Sequence, residues 1–136
     1  MLGEKLGDIH GKVTGQRVVA GTAHGEVKLE VSFQGAGHVL GIEATDMGTY
    51  EARMKAPGVL YGRGQGLTMT KEGDSVTWHG EGIGTMTGHG MAAHWRGAIV
   101  YSTQSTKLSR LNSICGVFEW DVDEQGNAKG AFWEWK

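Results

Sequence analysis

Apolar and polar residues alternate with period two along most of the chain. The segment 27–33 is the plainest case, with Val27, Leu29, Val31 and Phe33 on one face and Lys28, Glu30 and Ser32 on the other. Two is the side-chain period of a β-strand. The same rhythm predicts strands over 12–20, 39–54, 59–71, 75–88, 92–103, 114–123 and 128–135. Turn-forming residues separate them: Ala56-Pro57-Gly58, Lys71 to Ser75, His89-Gly90 and Glu124 to Asn127. One stretch, 105–112, reads as helical, because Ser105 can cap it and Leu108 and Leu111 share a face. About eight strands and one short helical turn predict an all-β chain, a closed antiparallel barrel of calycin-like type in one domain over 1–136. A two-sheet sandwich is the alternative. Closure is favoured because it removes the strand edges that a sandwich leaves open.

Glycine carries the period too. Gly62, Gly64 and Gly66 alternate on one predicted strand, and Gly80, Gly82 and Gly84 on the next. A three-residue loop closed by Lys71 and Ser75 sets Gly66 opposite Gly80, Gly64 opposite Gly82 and Gly62 opposite Gly84. Glycine lets strands coil tightly, as a narrow barrel requires. A two-residue turn at His89-Gly90 then pairs Gly84 with Trp95, Gly82 with Gly97 and Trp78 with Tyr101. The glycine face therefore shares a side with Trp78, Trp95, Ile99 and Tyr101, while His79, Glu81, His94 and Arg96 fall on the solvent side. In the last hairpin, Asp123 opposite Ala128 sets Trp120 across from Ala131, Phe118 from Trp133 and Gly116 from Trp135. On that register all five tryptophans point inward, with small residues beside large ones. A loop one residue longer or shorter reverses a strand's faces.

Twenty-four glycines in 136 residues, with one proline, exclude proline-rich disorder. A net charge of −2 offers no basic field for nucleic acid or an anionic membrane. The lone Cys115 permits no internal disulfide, and no apolar run marks a signal peptide or a membrane span, so a cytoplasmic protein is expected. The alternation through Gly62-Arg63-Gly64-Gln65-Gly66 is strict and no helix follows, which sets aside a phosphate-binding loop. His79 and Glu81 share a strand face with His94 nearby, a surface arrangement that lacks metal-site spacing; no metal and no cofactor is expected.

Thr45-Asp46-Met47-Gly48-Thr49-Tyr50 is the most suggestive stretch. A three-residue turn at Ala56-Pro57-Gly58 places Tyr50 opposite Gly64 and Asp46 opposite Thr68, both inward. Asp46 is then the one carboxylate on the tryptophan side of the central strands. Desolvation raises a carboxyl pKa and suits it to general acid–base work; the structural alternative is an aspartate bonded to backbone beside Gly48. Tyr50 and Tyr101 can donate to a ligand oxygen or simply pack at the barrel mouth.

Gly116-Val117-Phe118-Glu119-Trp120 and Phe132-Trp133-Glu134-Trp135, preceded by Lys107-Leu108-Ser109-Arg110-Leu111-Asn112, resemble small uncharacterised bacterial proteins. These are similar in outline to the allene oxide cyclase-like barrels. The resemblance implies an eight-stranded barrel, homo-oligomers, and an apolar lumen that binds lipophilic molecules without a cofactor. It carries no catalytic residue over to this chain.

Three functions follow as expectations. The first is binding of a small apolar or aromatic molecule in a lumen lined by Trp78, Trp95, Phe118, Trp120, Trp133 and Trp135, with Gly64 and Gly82 leaving room. The second is a cofactor-free cyclase or isomerase using Asp46 with Tyr50 or Tyr101. The third is a structural barrel with a solid core. Phe132, Val100, Ala98, Val117 and Ile83 fall on the outer wall, which predicts a homo-oligomer, a dimer or trimer.

Overall fold

The computed structural model describes residues 1–136. Its strands are β1 (Leu2–Val19), β2 (Lys28–Val39), β3 (Ile42–Ala56), β4 (Val59–Thr70), β5 (Ser75–Met86), β6 (Ala93–Ser102), β7 (Gly116–Val122) and β8 (Asn127–Trp135). Each pairs antiparallel with the next, and β8 returns to β1, so the sheet closes into a barrel. The only helical piece is a 3-10 turn, Ser109–Ser113, between β6 and β7. No helix is long and apolar enough to cross a membrane.

Two predicted registers hold on the central strands. Tyr50 faces Gly64 and Asp46 faces Thr68 across β3 and β4. Gly84 faces Trp95, Gly82 faces Gly97 and Trp78 faces Tyr101 across β5 and β6. The glycine ladder differs by two residues from the expected pairing: Gly62 faces Gly82, Gly64 faces Gly80 and Gly66 faces Trp78. The loop closes one pair earlier than Lys71 with Ser75, at Thr70 and Asp74. Thr70 N–H donates to the Asp74 carbonyl at 2.8 Å, Asp74 N–H donates to Thr70 Oγ1 at 3.0 Å, and Gly73 takes φ of 91°. A shift of two preserves the faces, so the glycines still look inward.

The last hairpin is a correction with larger consequences. Trp120 faces Gly130, Phe118 faces Phe132 and Gly116 faces Glu134, one residue from the expected register. Asp123 is the cause. Its carboxylate accepts from Gln125 N–H at 2.9 Å, Asn127 N–H at 2.8 Å and Asn127 Nδ2 at 2.9 Å, and Gly126 bends back at φ of 82°. This bonding closes a three-residue loop where four residues were expected, and β8 turns over. Trp133 and Trp135 therefore leave the lumen for the outer wall, where Trp135 is 58% exposed. Phe132, expected outside, lines the interior instead.

Two further differences concern strand ends. β1 begins ten residues before the predicted 12–20 strand; bulges at Leu2/Lys5 and Lys5/Gly7 break the alternation that would announce it. The predicted strand 39–54 is interrupted at Leu40-Gly41, a two-residue hairpin turn with φ of 48° and 80°. Only Val39 of it belongs to β2, where it pairs with Ile42 at the start of β3.

Apolar packing forms two clusters. One fills the barrel middle with Ile9, Phe33, Ala52, Leu60, Trp95 and Trp120. The other closes one end, where Leu108 and Leu111, both fully buried, pack on Leu6, Val39 and Val76. Ser105 is not the cap expected of it: the turn starts later, with Leu108 as its N-cap and no side-chain cap bond, and Ser105 Oγ accepts from Leu108 N–H at 3.3 Å in the loop before it. Asn112 fastens it to β6 by bonding both the N–H (2.8 Å) and the carbonyl (3.0 Å) of Thr103.

Candidate lumen site

The interior is built on glycine. A Cβ at Gly62 would lie 2.7 Å from the Trp95 ring, at Gly84 2.8 Å from the same ring, at Gly48 2.7 Å from Trp78 and at Gly130 2.7 Å from Trp120. Each indole thus rests directly on bare backbone, in space that any side chain would fill. The rings also contact one another: Phe33 lies 4.6 Å from Trp120 and 6.1 Å from Trp78, and Tyr50 meets Trp95 edge-on at 5.7 Å. Such arrangements suit the aromatic quadrupole.

Packing leaves two small cavities. The larger, about 70 Å³, is lined by Tyr50, Trp78, Trp95, Phe118, Trp120 and Asp46, with Gly64, Gly80 and Gly82 as bare wall. The smaller, about 30 Å³, lies toward the closed end beside Tyr101, Leu6 and Thr68. Asp46, Trp78, Ile99 and Phe132 border both. The predicted tyrosines are therefore separated: Tyr50 belongs to the first cavity and Tyr101 to the second. Asp46 alone among the predicted acid–base groups reaches both.

Asp46 is held by side chains. Its Oδ1 accepts from Trp78 Nε1 at 3.0 Å and from Thr68 Oγ1 at 3.2 Å. Burial raises its pKa from 3.8 to about 6, and the bonds from Trp78 and Thr68 and the Met47 backbone pull the other way. Tyr101 is driven far up by its burial and, secondarily, by the Asp46 charge. Burial also raises Tyr50, and the Trp120 N–H beside it offsets part of that rise. That N–H stops short of hydrogen-bond geometry, however. Trp120 Nε1 is buried and has no partner in the chain. Sequence reasoning found the Trp120 ring but missed its unsatisfied donor, because nothing in the alternation reports which edge of an indole is paired. It likewise missed Phe33 and Phe132 as lining residues, although Phe33 lies on the apolar face of 27–33.

The outer wall absorbs the remaining candidates. His94 Nδ1 lies 2.8 Å from Asp121 Oδ1, and Glu81 accepts from the Tyr61 hydroxyl at 2.7 Å. Arg96 reaches Asp121 at 3.3 Å and Glu119 at 3.4 Å. His10, His24, His38 and His79 are exposed, as is Cys115.

The fold and this lumen define a class: small eight-stranded β-barrels. Among solved structures, the chain is similar to a protein of unknown function from Clostridium acetobutylicum, with a TM-score of 0.82, 13% identity and 98% of each chain covered. A conserved protein of unknown function from Rhodopseudomonas palustris aligns with a TM-score of 0.80 at 12% identity over 99% of each chain. An enzyme from Penicillium herquei aligns with a TM-score of 0.70 at 15% identity, over 96% of this chain and 91% of that one. At these identities the likeness is one of fold. No protein-family model matches the sequence, and no curated protein matches it.

Proposed function

We propose that the barrel binds a small, compact, largely apolar molecule in its lumen. The observation that carries this reading is the 70 Å³ cavity, an almost wholly apolar space among Tyr50, Trp78, Trp95, Phe118 and Trp120 with Asp46 at its border. A predominantly apolar and aromatic lining is usual for a ligand site. The cavity is well below the range of several hundred Å³ typical for drug-sized ligands. The resident molecule is accordingly very small, or its entry displaces a ring; Phe118, which lies against Gly80 and Gly97, is one of the rings with glycine on two sides. The likeness in outline to allene oxide cyclase-like barrels agrees with an apolar lumen of this kind.

Entry of a small apolar probe tests the reading. Xenon should give a saturable shift of its resonance in the presence of the protein, and Phe118→Ala should create a site for benzene. A wild type that admits no xenon, with a Phe118→Ala that admits no benzene, would leave the solid structural core as the better description.

A second reading has one observation in its favour. Asp46 lines the cavity with its pKa raised to about 6, where a carboxyl can take up or release a proton close to neutrality. A cofactor-free isomerase or cyclase would use it so, with Tyr50 as donor on one side of the partition or Tyr101 on the other. The Penicillium herquei structure described as an enzyme shares the barrel. Asp46→Asn should then abolish turnover of any substrate while leaving its binding within about threefold.

A further inference from the structure

We propose that the smaller cavity, toward the closed end of the barrel, is a water site that solvates the Asp46 carboxyl from the side opposite the aromatic lumen, with the Tyr101 hydroxyl holding the water in place. Such a site is independent of whether the larger cavity takes a ligand.

Polarity separates the two cavities. The larger is almost wholly apolar, and apolar cavities stay dry. The smaller has polar wall beside Leu6, Ile9 and Phe132, because Asp46, Thr68 and Tyr101 all line it. A buried water needs ~10–15 Å³ of room and about two to four polar partners. This cavity offers about 30 Å³, and its polar side chains have bonding capacity to spare. Trp78 and Thr68 both donate to Asp46 Oδ1, and no side chain donates to Oδ2, although an ionised carboxylate accepts at both oxygens. The Tyr101 hydroxyl makes no hydrogen bond within the chain; burial drives its ionisation far up, and the nearby Asp46 charge adds to the rise. A buried hydroxyl without a partner bears the cost of its lost hydration. One water between the two gives Oδ2 a donor and the Tyr101 O–H an acceptor at once. Thr68 Oγ1, which donates to Oδ1 at 3.2 Å, still has an oxygen lone pair for it.

The charges around Asp46 leave this role to water. Tyr101 from β6 and Tyr50 from its own strand are the titratable groups beside it, and both are buried phenols raised by that burial. Asp8 of β1 and His38 of β2 also border the smaller cavity, but their side chains pair on the outer face, with His38 Nδ1 3.3 Å from Asp8 Oδ1. β4, β5 and β8 contribute Thr68, Trp78 and Phe132, none of them charged, and the 3-10 segment contributes nothing to the lining. No cation accompanies the carboxylate. Tyr101 stays protonated near neutrality, so it orients the water and is not the proton source. A carboxyl solvated from behind in this way keeps its proton equilibrium even when an apolar molecule fills the larger cavity.

Two measurements test the site. A high-resolution crystal structure should show an ordered water within about 3.2 Å of both Asp46 Oδ2 and the Tyr101 hydroxyl. Ordered side chains with no water between them, or a direct bond from Tyr101 to Asp46, would overturn it. The second measurement follows the Asp46 carboxyl carbon by its ¹³C resonance as pH is varied. The wild type should titrate at about 6. Ala44 lines the smaller cavity and not the larger. Ala44→Val should expel the water and raise the Asp46 midpoint by about one pH unit or more, because the carboxylate loses its remaining solvation. Tyr101→Phe adds no bulk, so it serves if Ala44→Val fails to fold. It removes one partner of the water and should raise the midpoint by a smaller amount. Gly80→Ala sets its methyl in the wall of the larger cavity, 3.3 Å from the Ala98 carbonyl and 3.4 Å from the Phe118 ring, and should leave the midpoint where it is. A midpoint unmoved by both Ala44→Val and Tyr101→Phe overturns the water site. So does a midpoint that moves only in Gly80→Ala, which would put the solvation of Asp46 on the lumen side. Admission or exclusion of xenon bears on the larger cavity alone.

Discussion

At the scale of single residues, the interior is an exchange of glycine for indole. Gly62 illustrates it: a methyl group there would overlap the Trp95 ring, with the Glu51 carbonyl 3.0 Å away on the other side. Gly62→Ala should cost about 1–3 kcal/mol through overpacking. Gly15, at the β1 bulge, has nothing within 4 Å of a new Cβ. Gly15→Ala should change stability by less than about 1 kcal/mol, and in the favourable direction, because alanine restricts the unfolded chain. Urea denaturation of the two variants checks the pair, and similar losses in both would contradict the account of the glycine face. Asp46 makes the opposite trade. Its carboxyl titrates at about 6 in the folded chain against 3.8 in the reference state, so folding favours the protonated form. The stability it contributes is complete below pH 3.8 and is lost as pH rises through about 6. Asp46→Asn, which keeps an acceptor for Trp78, should therefore melt above the wild type at pH 8, by up to about 3 kcal/mol in stability. The gap should narrow toward pH 4. A mutant that melts well below wild type at pH 8 would mean that the bonds from Trp78 and Thr68 outweigh burial.

At the scale of elements, faces were easier to read than registers. Alternation assigned the inward side of β3 to β7 correctly because a strand's two faces differ in every second residue, whatever its partner. Pairing depends on how each loop closes, and side-chain bonds decide that. Thr70 moved the β4–β5 ladder by two, which hides in the alternation; Asp123 moved β7–β8 by one, which removed Trp133 and Trp135 from the predicted site. The first half of β1 was illegible for a related reason, since its bulges break period two. Asp123 is thus the residue on which the fate of two tryptophans turns. Its pKa is lowered first by the Asn127 side chain and then by backbone donors. Asp123→Ala should lower the melting temperature at neutral pH, and the difference should fade in acid as the wild-type carboxyl takes up its proton. Equal melts at neutral pH would show that β8 keeps its register by packing alone.

At the scale of the whole molecule, the outer wall is the counterpart of the lumen. With β8 turned over, Trp133 lies beside Val117, Val117 faces Ala98, and Val100 and Trp135 are more than half exposed. An apolar stretch of this kind on a small barrel favours association, and we expect a dimer or trimer that covers β6 to β8. Sedimentation at micromolar concentration should show a species larger than 14.6 kDa, reduced to the single chain by Val117→Asp. A monomeric wild type would remove the expectation. Barrel closure has a separate consequence. β1 and β8 lie side by side, and the Lys136 N–H donates to the Met1 carbonyl at 2.8 Å. Every other ladder joins neighbours in the chain, so this seam is the only pairing that must gather residues from opposite ends of the sequence. The position of the seam is a property of where the chain is cut and not of the barrel. A circular permutant with its ends joined and a new opening in the loop 87–92 keeps all eight ladders, while β1–β8 becomes a local hairpin and β5–β6 becomes the slow, long-range closure.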